Sequence, residues 1–229
     1  LIDRAIRHSD NLANDALLRR IGGPEAVRDM LARKGLRGIA FGNGERLLQS
    51  EIAGLSWRQD YAGGRAFEVA RAKLPMDVRK AALERYLARP MDGASPEGIA
   101  AGLARLARGQ LLSPESTAIL VDMLSSSSTG RARMKAGLSP SWVLAHKTGT
   151  GQELGSLATG FNDVGLLTAP NGHRYAVAVM IASSRRPIRE RQELIASVAR
   201  AVISHDRFAT LQQAERSGAG ATTAVGVGN

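Results

Sequence analysis

The chain has 229 residues, 44% hydrophobic and 23% charged, which is an ordinary composition for a folded protein with one domain. It has no cysteine, which excludes disulfides and thiolate metal sites, and no apolar run approaches the ~20 residues of a membrane span. The net charge of +10 would suit a protein that binds nucleic acid. Its arginines are spread over the whole length, however, aromatic residues make up only 4%, and no nucleic-acid motif occurs, so we expect no nucleic-acid partner.

The first part of the chain, about 1–128, is predicted to be mainly helical. Apolar residues at helical spacing, with Gly and Pro at the boundaries, predict helical pieces over 1–20 and helices at 24–35, 76–88, 95–108 and 114–124. Residues 38–55 are loop-like and then amphipathic. The stretch from Trp57 to Asp92 contains Gly63-Gly64 and the helical run 76–88, and we interpret it as a helical excursion near the mouth of a site.

The second part, about 129–206, is predicted to form a sheet and one helix. Apolar runs at 142–145, 156–168 and 174–183 indicate strands, and Asn171-Gly172 between two of them is a hairpin turn signal. Residues 188–204 form an amphipathic pattern typical of a helix that packs across the sheet. After Asp206 the periodicity is lost, so we expect a disordered tail over 207–229, which is rich in Gly, Ala and Thr near its end.

Two short motifs carry the candidate chemistry, Ser9-Asp10-Asn11 and Lys147-Thr148-Gly149. A Lys-Thr-Gly at the end of a strand places an ammonium, a hydroxyl and an open backbone edge next to one another along the strand. This arrangement can bind an acyl substrate that bears a carboxylate, and Gly149 leaves the strand edge free of a side chain. Each tripeptide alone is a weak signal. Together they are two thirds of the set S-x-x-K, S-D-N and K-T-G.

Further segments follow in the order of one family, namely 21–24, 106–113, 129–133, 136–138 and 142–151. Over roughly 1–206 the chain resembles class A β-lactamases and the penicillin-binding serine hydrolases related to them. The resemblance implies an α/β (α+β) fold of the β-lactamase/transpeptidase type. An antiparallel sheet flanked by helices would be joined to an all-helical subdomain over about 1–128, with the sheet and the C-terminal helix over about 129–206.

The nucleophile of that family does not occur in this sequence. No serine of the chain is followed three places later by lysine. In the family the S-x-x-K serine is the nucleophile and lies N-terminal to the S-D-N motif. We therefore expect this sequence to be the C-terminal part of a longer protein, whose other part carries the nucleophile helix and the first strands of the sheet.

The resemblance also implies catalytic roles for the first motif and for Lys147. Ser9 would pass a proton to the leaving β-lactam nitrogen. Lys147 would lower the pKa of Ser9 and attract the substrate carboxylate. Asn11 would hold the amide of the substrate side chain, whereas Asp10 would only cap the helix that follows it.

The substrate carboxylate would lie at the end of the Lys-Thr-Gly strand. There Thr148 and Thr150 would bind it with their hydroxyls, beside the open edge at Gly149, and the backbone N–H of Thr150 would form half of the oxyanion hole. Arg133 lies where some family members carry an arginine that anchors this carboxylate. Its planar fork suits that task.

Two glutamates are rivals for the role of general base, Glu45 and Glu51. An ungapped comparison from Gly22-Gly23-Pro24 puts Glu45 at the base position. The Pro-Glu-Leu-Asn that usually follows this glutamate in the family is here 46–49, Arg-Leu-Leu-Gln, and Gln49 could replace the asparagine that helps to hold the water. For His8 and His146, beside the two motifs, we expect packing or solvent-facing roles.

The expected function is therefore that of a serine β-lactamase, which hydrolyses a small-molecule β-lactam through an acyl-enzyme without a metal or other cofactor. The alternatives are a D-alanyl-D-alanine carboxypeptidase or penicillin-binding protein on the same fold, and a non-catalytic homologue that binds ligands. The resemblance also implies a periplasmic or secreted protein, and we favour a monomer.

Overall fold

The computed structural model describes residues 1–222, with side chains described through 216. Its first part is helical, as predicted. The helices are α1 Ile2–Arg7, α2 Asn11–Arg20, α3 Gly23–Arg33, α4 Glu45–Ala53, α5 Ala66–Lys73, α6 Met76–Ala88, α7 Pro96–Ala107 and α8 Pro114–Ser125. A two-residue strand β1, Ile39–Ala40, pairs antiparallel with β2, Gly93–Ala94, so that the stretch 57–92 lies between two paired strands. It holds a 3-10 turn at Gln59–Ala62 as well as α5 and α6.

Local capping explains why several helices begin where they do. The carboxylate of Asp10 accepts a hydrogen bond from the N–H of Ala13, which fixes the start of α2 directly after the candidate Ser9. Ser95 and Ser113 cap α7 and α8 in the same way, and each is followed by a proline in the first helical turn, where its missing N–H costs nothing.

A sheet of four antiparallel strands forms the second part. The strands are β3 Val143–Thr150, β4 Glu153–Leu154, β5 Leu157–Thr168 and β6 Arg174–Ser184. The long strand β5 is central, with β3 on one side and β6 on the other, while β4 pairs with the first residues of β5. The predicted hairpin turn is confirmed, because Gly172 has φ 87° and the N–H of Ala169 donates to the carbonyl of His173 at 2.8 Å.

The sheet is packed on both faces, as the alternation of side chains along its strands requires. On one face, buried side chains of β3 and β5 contact Ile195 and Ala199 of the last helix, α9, Ile188–Thr222. On the other face, Ala145 and Leu166 contact Leu124 of α8, and residues of α7 join this cluster. The fold therefore agrees with the predicted sheet flanked by helices.

The last helix differs from the sequence prediction. We expected disorder over 207–229, but α9 continues without a break to Thr222, and 223–229 lie outside the described residues. Asp206 accepts hydrogen bonds from His173 and Tyr175, and Thr210 donates to the carbonyl of Asp206. The contacts with His173 and Tyr175 hold the helix against the hairpin at the point where the apolar pattern ends. None of the helices within 1–222 is long and apolar enough to cross a membrane.

Candidate active site

A cavity of about 780 Å³ lies between the helical part and the sheet, and every residue predicted for the site lines it except the rival base Glu51. One wall is strand β3 from Lys147 to Thr150. This strand pairs with β5 on one side and with no other strand within 1–222 on the other. The opposite wall comes from the corner between α1 and α2, at Ser9 and Asn11, and from the start of α4 at Glu45. The two motifs, far apart in sequence, therefore face one space.

The two motifs touch through Lys147 and Ser9. The ammonium nitrogen Nζ of Lys147 lies 2.5 Å from Oγ of Ser9 and 2.8 Å from the carbonyl oxygen of Thr148. Burial lowers the pKa of Lys147, while the nearby carboxylate of Glu45 opposes this shift. Ser9 itself has φ 56°, in the left-handed region, which is uncommon for a residue other than glycine. This backbone conformation directs the hydroxyl of Ser9 toward Lys147.

Glu45 is the first residue of α4, and a residue of another helix caps it there. The N–H groups of Glu45 and Arg46 donate to the two carboxylate oxygens of Asp15, at 3.1 and 3.2 Å. Gly44, at the cap position, has no side chain to do this. Asp15 is 5% exposed, so the carboxylate that fixes the start of α4 is itself buried.

The Glu45 carboxylate accepts two amide hydrogen bonds at Oε1, from Gln49 at 2.9 Å and from Asn11 at 3.3 Å. Burial raises its pKa, the bond from Gln49 lowers it, and the charges of Asp15 and Asp92 raise it further. Its rival Glu51 is exposed and lines a neighbouring cavity instead. Of the two candidate glutamates, Glu45 is therefore the one that lines the cavity of the two motifs.

Arg133 lies just before the 3-10 turn Met134–Gly137 and is 8% exposed. Its Nη1 donates to the carbonyls of Gly149 at 2.8 Å and Asn162 at 2.5 Å, and its Nη2 donates to Oγ1 of Thr150 at 2.5 Å. The guanidinium also stacks 3.8 Å from the ring centroid of Phe161. Burial lowers its pKa. The arginine is therefore a fixed part of the cavity wall and holds the hydroxyl of Thr150 in place.

The two histidines beside the motifs do not line the cavity. His146 is buried, and its Nδ1 lies 2.7 Å from Oδ1 of Asp163, whose other oxygen accepts the N–H of Met134. His8 lies 3.2 Å from Oγ of Ser128. The packing role predicted for His146 agrees with this position. Among residues 1–222, no three His, Asp or Glu side chains come together as metal ligands.

Sequence reasoning did not identify three residues that support the site. Thr129 places its hydroxyl 2.8 Å from that of Thr148, and Gln152 joins α4 to the sheet by donating to Oε1 of Gln49 at 2.7 Å. Asp15 caps α4, as described above. Only Asp15 had a usable sequence signal, because an aspartate inside a helical apolar pattern is unfavourable unless it has a partner.

Known proteins are similar to this chain in sequence over most of its length. The model of the family described as "Beta-lactamase enzyme family" matches residues 1–205. A beta-lactamase of Amycolatopsis lactamdurans is 27% identical over 204 residues, which are 89% of this chain and 55% of that protein. The chain thus spans about half the length of the curated relatives it matches.

Solved structures agree on the fold. The crystal structure of TLA-3 extended-spectrum beta-lactamase has a TM-score of 0.67 at 22% identity, over 89% of this chain and 62% of that one. An acyl-enzyme complex of a mutant of PBP-A with penicillin G has a TM-score of 0.58 at 23% identity, over 90% of this chain and 60% of that one. The fold is therefore that of the class A enzymes, and the family match over 1–205 shows that this chain belongs to the beta-lactamase enzyme family.

Proposed function

We propose that this chain supplies most of the active site of a serine β-lactamase, which opens the β-lactam amide through an acyl-enzyme. The observation that carries the proposal is the contact between Lys147 Nζ and Ser9 Oγ at 2.5 Å, in a cavity that also holds Glu45. A cation beside a hydroxyl favours loss of its proton, and a buried glutamate nearby can take a proton from water.

Acylation needs a nucleophilic serine, which residues 1–229 do not contain in an S-x-x-K motif. In the proposed step this serine gives its proton to the lysine of its own motif and attacks the β-lactam carbonyl, and the carbon–nitrogen bond breaks. Ser9 gives its proton to the leaving nitrogen and recovers one from the motif lysine, while Lys147 stabilises the negative charge that develops on Oγ. The N–H of Thr150 is one oxyanion donor, and such a donor is worth roughly 2.7–4 kcal/mol of barrier.

Deacylation is assigned to Glu45. Its carboxylate takes a proton from a water molecule, the hydroxide attacks the acyl carbon, and the serine oxygen leaves with a proton. Asn11 and Gln49 hold the carboxylate by their amide hydrogen bonds, so it keeps one orientation through the step. Removing the glutamate from water strengthens it as a base, because burial raises its pKa.

The substrate carboxylate is assigned to the end of β3. Thr148 and Thr150 offer hydroxyls there, Gly149 leaves the strand edge open, and Arg133 adds a positive charge that is already fixed by its hydrogen bonds. A fixed donor costs little side-chain entropy when the ligand binds. The substrate is then a small β-lactam with a ring carboxylate, and the family suggests a periplasmic or secreted protein.

A second candidate is a penicillin-binding protein or D-alanyl-D-alanine carboxypeptidase. Two observations favour keeping it: the residues after Glu45 depart from the Pro-Glu-Leu-Asn of the family, and PBP-A, seen as an acyl-enzyme with penicillin G, shares the fold. The two candidates differ in the rate of deacylation.

The test uses the full-length protein with benzylpenicillin, following turnover by absorbance and the acyl adduct by mass spectrometry. We expect turnover, and we expect Ser9→Ala to lower kcat/KM by about a hundredfold or more, as loss of a proton-transfer group does. Ser56→Ala, at an exposed serine outside the cavity, is the control. A stable adduct without turnover would favour the second candidate. Unchanged turnover in Ser9→Ala would overturn the proposed role of Ser9.

A further inference from the structure

The wall of the cavity beside Glu45 is built by the stretch 57–92. Antiparallel pairing of Ala40 with Gly93 brings Asp92 alongside the segment that leads into α4. A Cβ placed on Gly42 would lie 3.4 Å from Cβ of Asp92, so the two backbones are in close approach. From the same stretch, α6 contributes Tyr86, and both side chains line the cavity. The stretch, predicted to lie near the mouth of a site, therefore contributes two side chains to the cavity wall.

Tyr86 and Asp92 contact each other inside this wall. The phenol of Tyr86 donates to Oδ1 of Asp92 at 3.3 Å. Burial and the charge of Asp92 raise the pKa of Tyr86 to about 12, so it remains a donor at neutral pH. A carboxylate can accept about four hydrogen bonds, and this contact uses one of them. Within the described part of the chain, no Lys, Arg or His nitrogen lies within 4.0 Å of Asp92.

The other charged groups that line the cavity already have partners or roles. Asp10 is paired with Arg4 at 2.5 Å and caps α2. Glu45 is held by two amides, and Lys147 and Arg133 are engaged at the β3 end. Asp92 is thus the carboxylate of this cavity that is left to meet a ligand.

Asp92 belongs to the same part of the cavity as Glu45 and Asn11, to which the acyl side chain is assigned. The carboxylate-binding groups lie at the β3 end, and Asn11, assigned to the side-chain amide, contacts Glu45 at 3.3 Å. Asp92 lines the same cavity, packs against Gly42 in the segment that leads to Glu45, and lies near enough for its charge to act on Glu45. A substrate bound with its ring carboxylate at β3 and its amide at Asn11 therefore directs the rest of its side chain toward Asp92.

We infer that Asp92, positioned by Tyr86, makes this site selective for β-lactams whose acyl side chain carries an ammonium group, a selection that presupposes the acyl transfer proposed above. Such a substrate is anionic at one end and cationic at the other. The cavity matches it with Arg133 and Lys147 at one end and Asp92 at the other. An ion pair at a half-exposed carboxylate is worth at most about a factor of ten in affinity, and salt weakens it.

The test compares ampicillin with benzylpenicillin, which differ by one side-chain ammonium group, in the full-length protein. Wild type should prefer ampicillin in kcat/KM, and Asp92→Asn should reduce the ratio of the two values by about threefold to tenfold. Tyr86→Phe should reduce it less, because the carboxylate remains. Glu84→Gln, at an exposed carboxylate on α6 outside the cavity, is the matched control and should leave the ratio unchanged.

A ratio that stays the same in Asp92→Asn, or a loss of rate that is equal for both penicillins, would overturn the selectivity. Added salt should lower the wild-type ratio and leave the ratio of Asp92→Asn unchanged. Absence of turnover and of acylation with both substrates in wild type would be a different result. It would overturn the proposed function, and the selectivity with it.

Discussion

At the level of single residues, burial shifts the pKa values of the two groups to which proton transfer is assigned. It raises the pKa of Glu45 and lowers that of Lys147, which brings the proton affinities of an acid and a base closer together. Ser9 is held beside the lysine by a left-handed backbone conformation, with Asp10 capping the helix after it. Each of these residues therefore has a defined environment that a single substitution can change.

Glu45→Gln should trap the acyl-enzyme. The amide keeps the size of the side chain but cannot take a proton from water, so acylation should proceed and deacylation should stop. Mass spectrometry after mixing the full-length variant with penicillin should show an adduct that persists. If the variant turns over at the wild-type rate, Glu45 is not the base, and Glu51→Gln becomes the experiment to do.

As pH falls, deacylation should be lost at a higher pH than it would be if Glu45 had the pKa of an ordinary glutamate. Burial raises the pKa of Glu45, so the carboxylate becomes protonated, and inactive as a base, earlier as pH falls. Asp92→Asn removes a negative charge that contributes to this shift, and it should move the acid limb to lower pH. The kcat profile with benzylpenicillin measures this, and an acid limb that does not move would contradict it.

Lys147→Ala and Arg133→Ala should both impair substrates that bear the ring carboxylate, and the lysine change should be the more damaging. Lys147, which contacts Ser9, is assigned both proton relay and anion binding, whereas Arg133, which contacts Thr150, is assigned anion binding alone. The measurement is kcat/KM for a penicillin and for its carboxylate ester. Equal losses with both substrates would argue against carboxylate anchoring.

At the scale of elements, the site depends on how α4 is joined to its neighbours. Its first turn is capped by Asp15 of α2, and Gln49 on its next turn accepts a hydrogen bond from Gln152, between β3 and β4. The helix thereby links the helical part to the sheet and carries Glu45 between them. A change in its cap should affect stability and catalysis together.

Asp15→Ala should destabilise the full-length protein by about 1–2 kcal/mol, the usual cost of losing a helix N-cap. The two N–H groups at the start of α4 would lose their acceptor, and Glu45 would lose its fixed position. Urea unfolding measures the stability, and the rate of deacylation reports the position of Glu45. Asp15→Asn, which keeps one acceptor oxygen, should fall in between. A variant as stable as wild type would show that Asp15 is not a significant cap.

At the scale of the whole molecule, the helical part and the sheet together line one cavity, while β3 and β6 form the edges of the sheet. Within 1–222, β3 and β6 each pair only with β5. Unpaired strand edges favour association with other chains unless something covers them. Exposed apolar side chains on α9, such as Leu194 and Phe208, add to this tendency.

Residues 1–229 expressed alone should have no β-lactamase activity and should be poorly soluble. The assigned roles all serve a nucleophile in an S-x-x-K motif, which this sequence does not contain, and loss of the nucleophile alone can cost on the order of 10⁶ in kcat. A chromogenic cephalosporin and a fluorescent penicillin provide the assays. Turnover, or a covalent adduct on one of its own serines, would reveal a nucleophile that is not recognised here.

The amino-acid sequence determined the elements and the family. Apolar periodicity predicted the helices α6, α7 and α8 and the three long strands, because local spacing decides which face of a helix or strand is buried. The two tripeptide motifs identified the site, since their chemistry depends on residue type and order. The prediction of a disordered tail was wrong for 207–222, where α9 continues. Contacts of Asp206 with His173 and Tyr175 hold α9 against the hairpin at the point where its own apolar pattern ends.

Only the tertiary structure decided which distant side chains meet. The choice of Glu45 over Glu51 depends on the side of α4 that faces the cavity, and the start of α4 is fixed by Asp15 from another helix. The position of Asp92 depends on strand pairing across the stretch 57–92. The shifted pKa values of Lys147 and Glu45 come from burial between the two parts of the fold. Such contacts join residues far apart in the chain, where local sequence patterns carry no information about distance.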